Sequence, residues 1–250
     1  MTNIDWTRYS RQMLFKSIGE EGQKKLQQSK VFIVGMGALG TVIANHLVRA
    51  GVGHIVFCDR DYVEESNLQR QTLFDEEDVK AFLPKAVAAE KKLKKINSSI
   101  KIEGHVTDVT ADNIEQFIEN VDLIMDGTDN FQTRYLLNDV AYKYNIPFIY
   151  GGVVSSRGMN AMFIPGKTPC LRCLFPTSDS GGQTCDTIGV LAPIVDIIAS
   201  IEVMEALKYL TGNEESLRGN LLSLDIWQNH SFEMTFTSNW DQCTTCVKGE

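Results

Sequence analysis

Four of the six cysteines fall into two pairs, Cys170-Leu171-Arg172-Cys173 and Cys243-Thr244-Thr245-Cys246. Each C-x-x-C turn offers two sulfurs to one side of a tetrahedron, so the set predicts a closed structural zinc site with no vacant position for catalysis. Two unrelated thiol pairs, or redox dithiols, are the alternative. Zinc held in this way would fasten the region around Cys243 and Cys246 back onto the body of the protein. A second constellation lies near the start of the chain, where the apolar run Val31-Phe32-Ile33-Val34 leads straight into Gly35-x-Gly37-x-x-Gly40. In such a unit Gly35 makes the tight turn, Gly37 lets a phosphate approach the backbone, and Gly40 lets helix and strand pack closely. Asp59 follows nineteen residues after Gly40, where a carboxylate can accept hydrogen bonds from a ribose diol. The unit predicts an adenosine-containing ligand without separating a dinucleotide from ATP.

Polyphosphate calls for positive partners, and two cations follow Asp59. Arg70 brings a planar fork and Lys85 a point charge, although each alone also reads as an ordinary solvated side chain. Asp129 ends an apolar strand in Asp126-Gly127-Thr128-Asp129-Asn130. It suits either a magnesium ligand beside the phosphates or the N-cap of a helix beginning near Phe131. Cys185 stands unpaired among Gly181, Gly182, Gln183 and Thr184, just before a helix expected from about Gly189. A thiol at a helix N-terminus becomes a better nucleophile; an exposed cysteine without a role is the other reading.

The elements that must position these residues alternate regularly. Residues 7 to 28 read as helices, 31 to 34 as a buried strand, 38 to 50 as a helix and 54 to 58 as a second strand. A polar loop over 61 to 74 precedes Pro84, which opens a helix running to about Ile96. Strand three is expected over 100 to 105, a crossover helix over 112 to 119, strand four over 121 to 125, a helix to about Tyr144, and strand five over 147 to 150. Residues 156 to 164 and 220 to 237 read as antiparallel strands, with a helix from Gly189 to Leu210 between them. This is an α/β pattern: a doubly wound, Rossmann-like, mostly parallel sheet extended by antiparallel strands. At 250 residues the chain predicts one domain over 1–250, with N-terminal helices in 8–28, a nucleotide-binding part in 30–152, and the antiparallel strands, crossover loop and zinc part in 153–250.

Composition narrows the partners. Lys+Arg 24 against Asp+Glu 32 gives a net charge of −8, which argues against nucleic acid. The longest apolar stretch, 188 to 203, is broken by Pro193, Asp196 and Glu202, so a buried helix is expected there and no membrane span. No secretory leader is read at the N-terminus, and a cytoplasmic location with reduced or metal-bound cysteines is expected.

Taken together, Arg8-Tyr9-Ser10-Arg11-Gln12, the glycine loop, Asp59-x-Asp61, Ser66-Asn67-Leu68-Gln69-Arg70-Gln71, Pro84-Lys85, Thr128-Asp129-Asn130, Cys170-x-x-Cys173, Cys185 with Gly189-Val190-x-Ala192-Pro193, and Cys243-x-x-Cys246 resemble the ThiF/MoeB family of E1-like adenylyltransferases. The match is colinear over residues 8 to 246. It implies ATP with magnesium (Mg2+) as the nucleotide, a structural Zn2+, and as acceptor the C-terminal glycine carboxylate of a small ubiquitin-like sulfur carrier, ThiS- or MoaD-like, in thiamin thiazole or molybdopterin synthesis. By position in the family pattern Asp59 binds ribose, Asn67, Arg70 and Lys85 the phosphates, and Asp129 the magnesium. Arg11 acts from the second subunit of a homodimer, and Cys185 can link to the activated carrier or to sulfur delivered to it. A sulfur donor, a cysteine desulfurase or a rhodanese, is expected as a separate protein. Two positions depart from the pattern: Ala38 stands where a further glycine is usual, and Phe82-Leu83 precede Pro84 where a glycine is common. An NAD-dependent dehydrogenase using the same loop, and a non-catalytic nucleotide-binding scaffold, are the competing readings.

Overall fold

The computed structural model describes residues 6–176, 188–236, 240 and 242–246. Its strands are β1 (Lys30–Val34), β2 (His54–Cys58), β3 (Lys101–His105), β4 (Leu123–Asp126), β5 (Phe148–Val154), β6 (Arg157–Phe163), β7 (Asn220–Asp225) and β8 (His230–Thr235). They form a single sheet in the order β3-β2-β1-β4-β5-β6-β7-β8. Neighbours from β3 through β5 run parallel, and those from β5 through β8 run antiparallel. The expected α/β sheet with its antiparallel extension is thus the observed one. Among the described residues the helices are α1 (Ser10–Met13), α2 (Gly19–Gln28), α3 (Ala38–Ala50), α4 (Glu76–Lys80), α5 (Lys85–Ile96), α6 (Phe131–Tyr144), α7 (Leu171–Leu174) and α8 (Ala192–Thr211).

Alternation along the central strands builds two apolar layers. In β1, Val31 and Ile33 join the layer of α3, α5 and α8, whereas Phe32 and Val34 join the opposite layer with Phe117, Leu137 and Tyr142. Strand β2 repeats the division, with Ile55 and Phe57 on one side and Val56 and Cys58 on the other. Side chains of a strand point to opposite faces in turn, so a sheet covered on both sides needs apolar residues at every position. Helix α8 carries Asp196, Glu202, Glu205 and Lys208 along its length, and no described helix is long and apolar enough to cross a membrane.

Several expected elements are corrected. Residues 112 to 119 do not form a crossover helix; only Ile114–Gln116 makes a short 3-10 turn. Asn113 is the cause: its Oδ1 accepts from Thr110 N at 2.8 Å and its Nδ2 donates to Asp108 O at 2.8 Å, bonds that compete with helix formation. Strand five does not stop before its glycines but continues through Gly151 and Gly152, which pair with Asn160 and Met159. The helix expected from Gly189 begins at Ala192, with Pro193 in its first turn, because Gly189 has φ +83° and cannot join it. The 220–237 segment is a hairpin of two strands. Phe82, at the departure from the family pattern, has φ +49°, a left-handed conformation that explains why glycine suits that position.

The glycine loop holds the centre together through close approach. A Cβ on Gly40 would stand 1.9 Å from Gly35 O, and one on Gly35, at φ +89°, would stand 2.5 Å from Gly127 O. At Gly37 the nearest atom to such a Cβ is Gln71 Nε2, 3.8 Å away. Gly40→Ala is therefore expected to destabilise the protein by at least about 1–3 kcal/mol, while Gly37→Ala leaves the denaturation midpoint close to wild type; chemical denaturation of both variants checks the contrast.

Candidate active site

In the order β3-β2-β1-β4-β5, chain direction away from the first strand reverses between β1 and β4, and open α/β sheets bind ligands at the carboxyl ends of strands beside that point. Here Gly35, just after β1, lies against Gly127, just after β4. Helix α3 starts at once from Gly37 with no side-chain cap. Its first N–H groups are available to an anion, and the helix dipole adds partial positive charge.

Asp59 leaves β2 at the same edge and is half-buried. Its Oδ2 accepts from Met36 N at 2.6 Å and its Oδ1 from Asp61 N at 2.7 Å. The carboxylate thus braces the glycine loop and keeps further lone pairs for a ligand. Burial raises its pKa above the usual carboxylate range, opposed by Lys85 and the two N–H groups.

The loop after β2 folds back over the glycines. Asn67 and Gln71 are buried, and Asn67 Oδ1 and Gln71 Oε1 have no hydrogen-bond partner. Buried amides are normally satisfied, so these two oxygens can accept from a donor group outside the protein. Arg70 Nη1 donates to Ser66 O at 3.0 Å, which folds the side chain against its own loop. Lys85 opens α5, is 7% exposed, and sits 3.3 Å from Asp61 Oδ2. An ammonium so deeply placed, with a partly exposed carboxylate as its ion partner, can turn towards phosphate.

The carboxyl end of β4 is held by a buried ion pair. Asp126 accepts from Thr128 N at 2.8 Å, Thr128 Oγ1 at 2.7 Å and Arg134 Nε at 2.8 Å. Arg134 also donates through Nη2 to Thr128 O at 2.7 Å and to Gly151 O at 3.0 Å. Burial pushes the Asp126 carboxyl upward against the pull of Arg134; three converging donors favour its ionised form. Of the two roles open to Asp129, the helix cap is excluded: Asn130 caps α6, accepting from Thr133 N at 2.9 Å. Asp129 is left exposed at the rim.

The structure brings Gly35, Gly37, Gly40, Asp59, Asn67, Arg70, Lys85 and Asp129 to one edge of the sheet. Arg11 is elsewhere. It is exposed on α1, whose neighbour Gln12 donates to Ala50 O at the far end of α3, about 20 Å along that helix from Gly37 by helical rise. Cys185 lies outside the described residues.

The four paired cysteines do converge. Cys170 Sγ lies 3.9 Å from Cys173 Sγ and 3.7 Å from Cys243 Sγ, and Cys173 Sγ lies 3.5 Å from Cys246 Sγ. All four sulfurs fall within 4.8 Å of one another and can hold one metal ion. A tetrahedron with metal–sulfur bonds of about 2.3 Å has edges of about 3.8 Å. The first pair is anchored on α6, where Asn138 Oδ1 accepts from Leu171 N at 2.8 Å and Asp139 takes both Nε and Nη2 of Arg172.

Arg134, Asp126 and Glu202 were not expected among the important residues. A signal for Arg134 existed: it lies three and seven residues before Leu137 and Ala141, on the buried stripe of α6.

The ThiF family profile matches residues 9–245. A sulfur carrier protein ThiS adenylyltransferase of Bacillus subtilis is 50% identical over 240 residues, covering 96% of this chain and 71% of that protein. A sulfur carrier protein adenylyltransferase of Thermus thermophilus is 36% identical over 252 residues, covering 98% and 92%. The crystal structure of Escherichia coli MccB with ATP superposes with a TM-score of 0.84 at 24% identity, over 96% of this chain and 74% of that one; at that identity the likeness is one of fold.

Protein purified without chelator is expected to carry about one thiolate-bound divalent ion per chain. Cys173→Ser should lose it and lower the thermal midpoint by about 2–4 °C for each kcal/mol of stability removed, read by metal analysis and calorimetry.

Proposed function

The chain belongs to the ThiF family, and from that premise we propose that it is an adenylyltransferase activating the C-terminal glycine carboxylate of a small ubiquitin-like sulfur carrier protein with ATP. The observation that carries this reading is the cradle at the β1 edge. There an open Gly37, an uncapped α3 N-terminus and the deeply placed Lys85 lie at the same edge, while the unpartnered oxygens of Asn67 and Gln71 can accept from a ribose hydroxyl or a base amine. These features suit a triphosphate bound along backbone N–H groups.

In the reaction a carboxylate oxygen of the carrier attacks the α-phosphorus of ATP, the bond to the β-phosphate oxygen breaks, and pyrophosphate leaves. Both reactants are anions, so the site must screen charge and hold them in line. Asp59 takes the ribose diol, and the glycine loop, Asn67, Arg70 and Lys85 take the phosphates. Magnesium held by Asp129 would add positive charge beside the phosphates. Arg11 stands at the wrong end of α3 to serve its own chain, which supports a homodimer in which it completes the partner's site as an arginine finger. We assign zinc to the Cys170, Cys173, Cys243 and Cys246 set because all-sulfur tetrahedral spacing suits that ion; it would be structural. Cys185 is read as the thiol that receives the activated carrier or its sulfur, supplied by a separate cysteine desulfurase or rhodanese. We read 1–250 as one domain.

The name of the Bacillus relative favours a ThiS-like carrier, hence thiamin thiazole synthesis, over a MoaD-like carrier in molybdopterin synthesis. A dehydrogenase would have less use for Lys85 and Arg70 beside the phosphates, and a scaffold would not need Asp129 kept clear of the helix cap.

Carrier-dependent exchange of pyrophosphate into ATP is expected with one of the two carrier types, and Lys85→Ala or Asp129→Ala should lower it by about 10²–10³-fold. Mixing Arg11→Ala with Asp129→Ala subunits should restore exchange that neither variant shows alone; failure of the mixture to recover any activity would place Arg11 outside the partner's site.

A further inference from the structure

Beneath α8, on one face of the β5–β6 ladder, buried acceptors gather without donors. Glu202 has no exposed surface, and neither Oε1 nor Oε2 has a partner among the described residues. Its Oε1 lies 2.0 Å from the point that a Cβ on Gly151 would occupy. Gly151 stands directly opposite Asn160 in the ladder, and opposed residues project to the same face about 4.5–5.5 Å apart. Asn160 is fully buried too; its Nδ2 donates to Tyr150 O at 3.0 Å, while its Oδ1 has no partner. Three acceptor-only atoms therefore share a dry space, and a proton on Glu202 is the smallest addition that supplies a donor.

Nearby charge leads to the same conclusion. Burial, followed by the Asp126 carboxylate of β4, raises the Glu202 pKa well above the usual carboxylate range, against the pull of Arg134 from α6. Tyr150 of β5 projects to the opposite face of the sheet, beside Arg134. Arg134 is already neutralised by Asp126, so an ionised Glu202 would leave an unmatched negative charge in the interior. The titratable groups of the helices packed on α8 (Glu20, Glu21, Lys24 and Lys25 of α2, His46 and Arg49 of α3) are exposed to solvent. On α8 itself Glu205 is paired with Lys208, and Asp196 is half-buried.

We propose that Glu202 is a positioning residue for the adenylylation site: carrying a proton, it donates to Asn160 Oδ1 and holds the Gly151 segment of β5 in place beneath the Arg134 clamp. It acts through the Gly151 carbonyl, which accepts Arg134 Nη2; the same nitrogen holds Thr128 O, next to Asp129. Loss of the proton sets Glu202 in competition with Asp126 for Arg134 and loosens the end of β4. The inference rests on the adenylylation reading for its kinetic consequence, whereas its effect on stability is independent of that reading. An acid whose pKa is raised on folding contributes stability that is fully present below its unfolded pKa and is lost as pH rises through the folded value.

Carrier-dependent pyrophosphate exchange and thermal midpoints of wild type, Glu202→Gln and Glu202→Leu, followed from mildly acid to alkaline pH, test this. Glu202→Leu should lower kcat about tenfold or more with the KM for ATP nearly unchanged. Glu202→Gln, which keeps a donor at every pH, should restore kcat and abolish the fall of rate and midpoint with rising pH that is expected of wild type. Superimposable pH profiles of wild type and Glu202→Gln, or an unchanged kcat in Glu202→Leu, would overturn the proposal. If no protein exchanges pyrophosphate, the adenylylation reading fails, and the midpoints alone decide: a fall with rising pH confined to wild type upholds the protonated contact, and coincident curves refute it. Should Glu202→Leu not fold, the comparison with Glu202→Gln stands by itself.

Discussion

A carboxylate and a guanidinium shut away from water, Asp126 and Arg134, fix how β4, α6 and β5 meet. Asp126 is fully buried and Arg134 is 6% exposed. Desolvation makes such a pair a weak source of stability compared with apolar packing, yet removing one partner leaves an unmatched buried charge at about 3–5 kcal/mol. Its value is geometric. One guanidinium bonds the end of β4, the carbonyl before Asp129 and the Gly151 carbonyl of β5, so three elements share a single reference point. Rings of Phe131 and Tyr150 enclose it, each with its centroid 5.2 Å from the guanidinium carbon.

Arg11 apart, the residues proposed to bind ATP lie at the edge this clamp defines. Backbone contact between Gly35 and Gly127 brings the ends of β1 and β4 together, Asp59 ties β2 to the glycine loop through Met36 N, and Lys85 is set by its own N–H on Asp61 O at 2.8 Å. The chain as a whole is acidic, so attraction for a triphosphate has to come from this local arrangement. The cysteine cluster packs into the same layer as the buried face of α6, where a bound metal ion would fasten residues 243 to 246.

Whatever depended on short spacing was legible in the sequence. Strand, glycine loop, helix, strand and Asp59 are contiguous, and each C-x-x-C pair declares its own turn; only the meeting of the two pairs needed three dimensions. The 112–119 region misled because apolar spacing there was overridden by Asn113, whose side chain takes the backbone bonds a helix would use. Asp126 and Arg134 were missed because their partnership runs between a strand end and a helix face. Glu202 read as a polar interruption that kept α8 out of a membrane, and its full burial follows from Gly151, which alone leaves room for its carboxylate. The remoteness of Arg11 from the glycine loop was equally hidden, since it depends on α1 packing at the opposite end of α3.

The central claim is that this site joins AMP to a peptide's terminal carboxylate. Intact-mass measurement of ThiS-like and MoaD-like carriers, incubated with the protein, ATP and magnesium, tests it most directly. The account expects one carrier to gain the mass of a single AMP, and to lose it when hydroxylamine is added. Carriers of unchanged mass, from a protein that binds NAD tightly and ATP not at all, would contradict it.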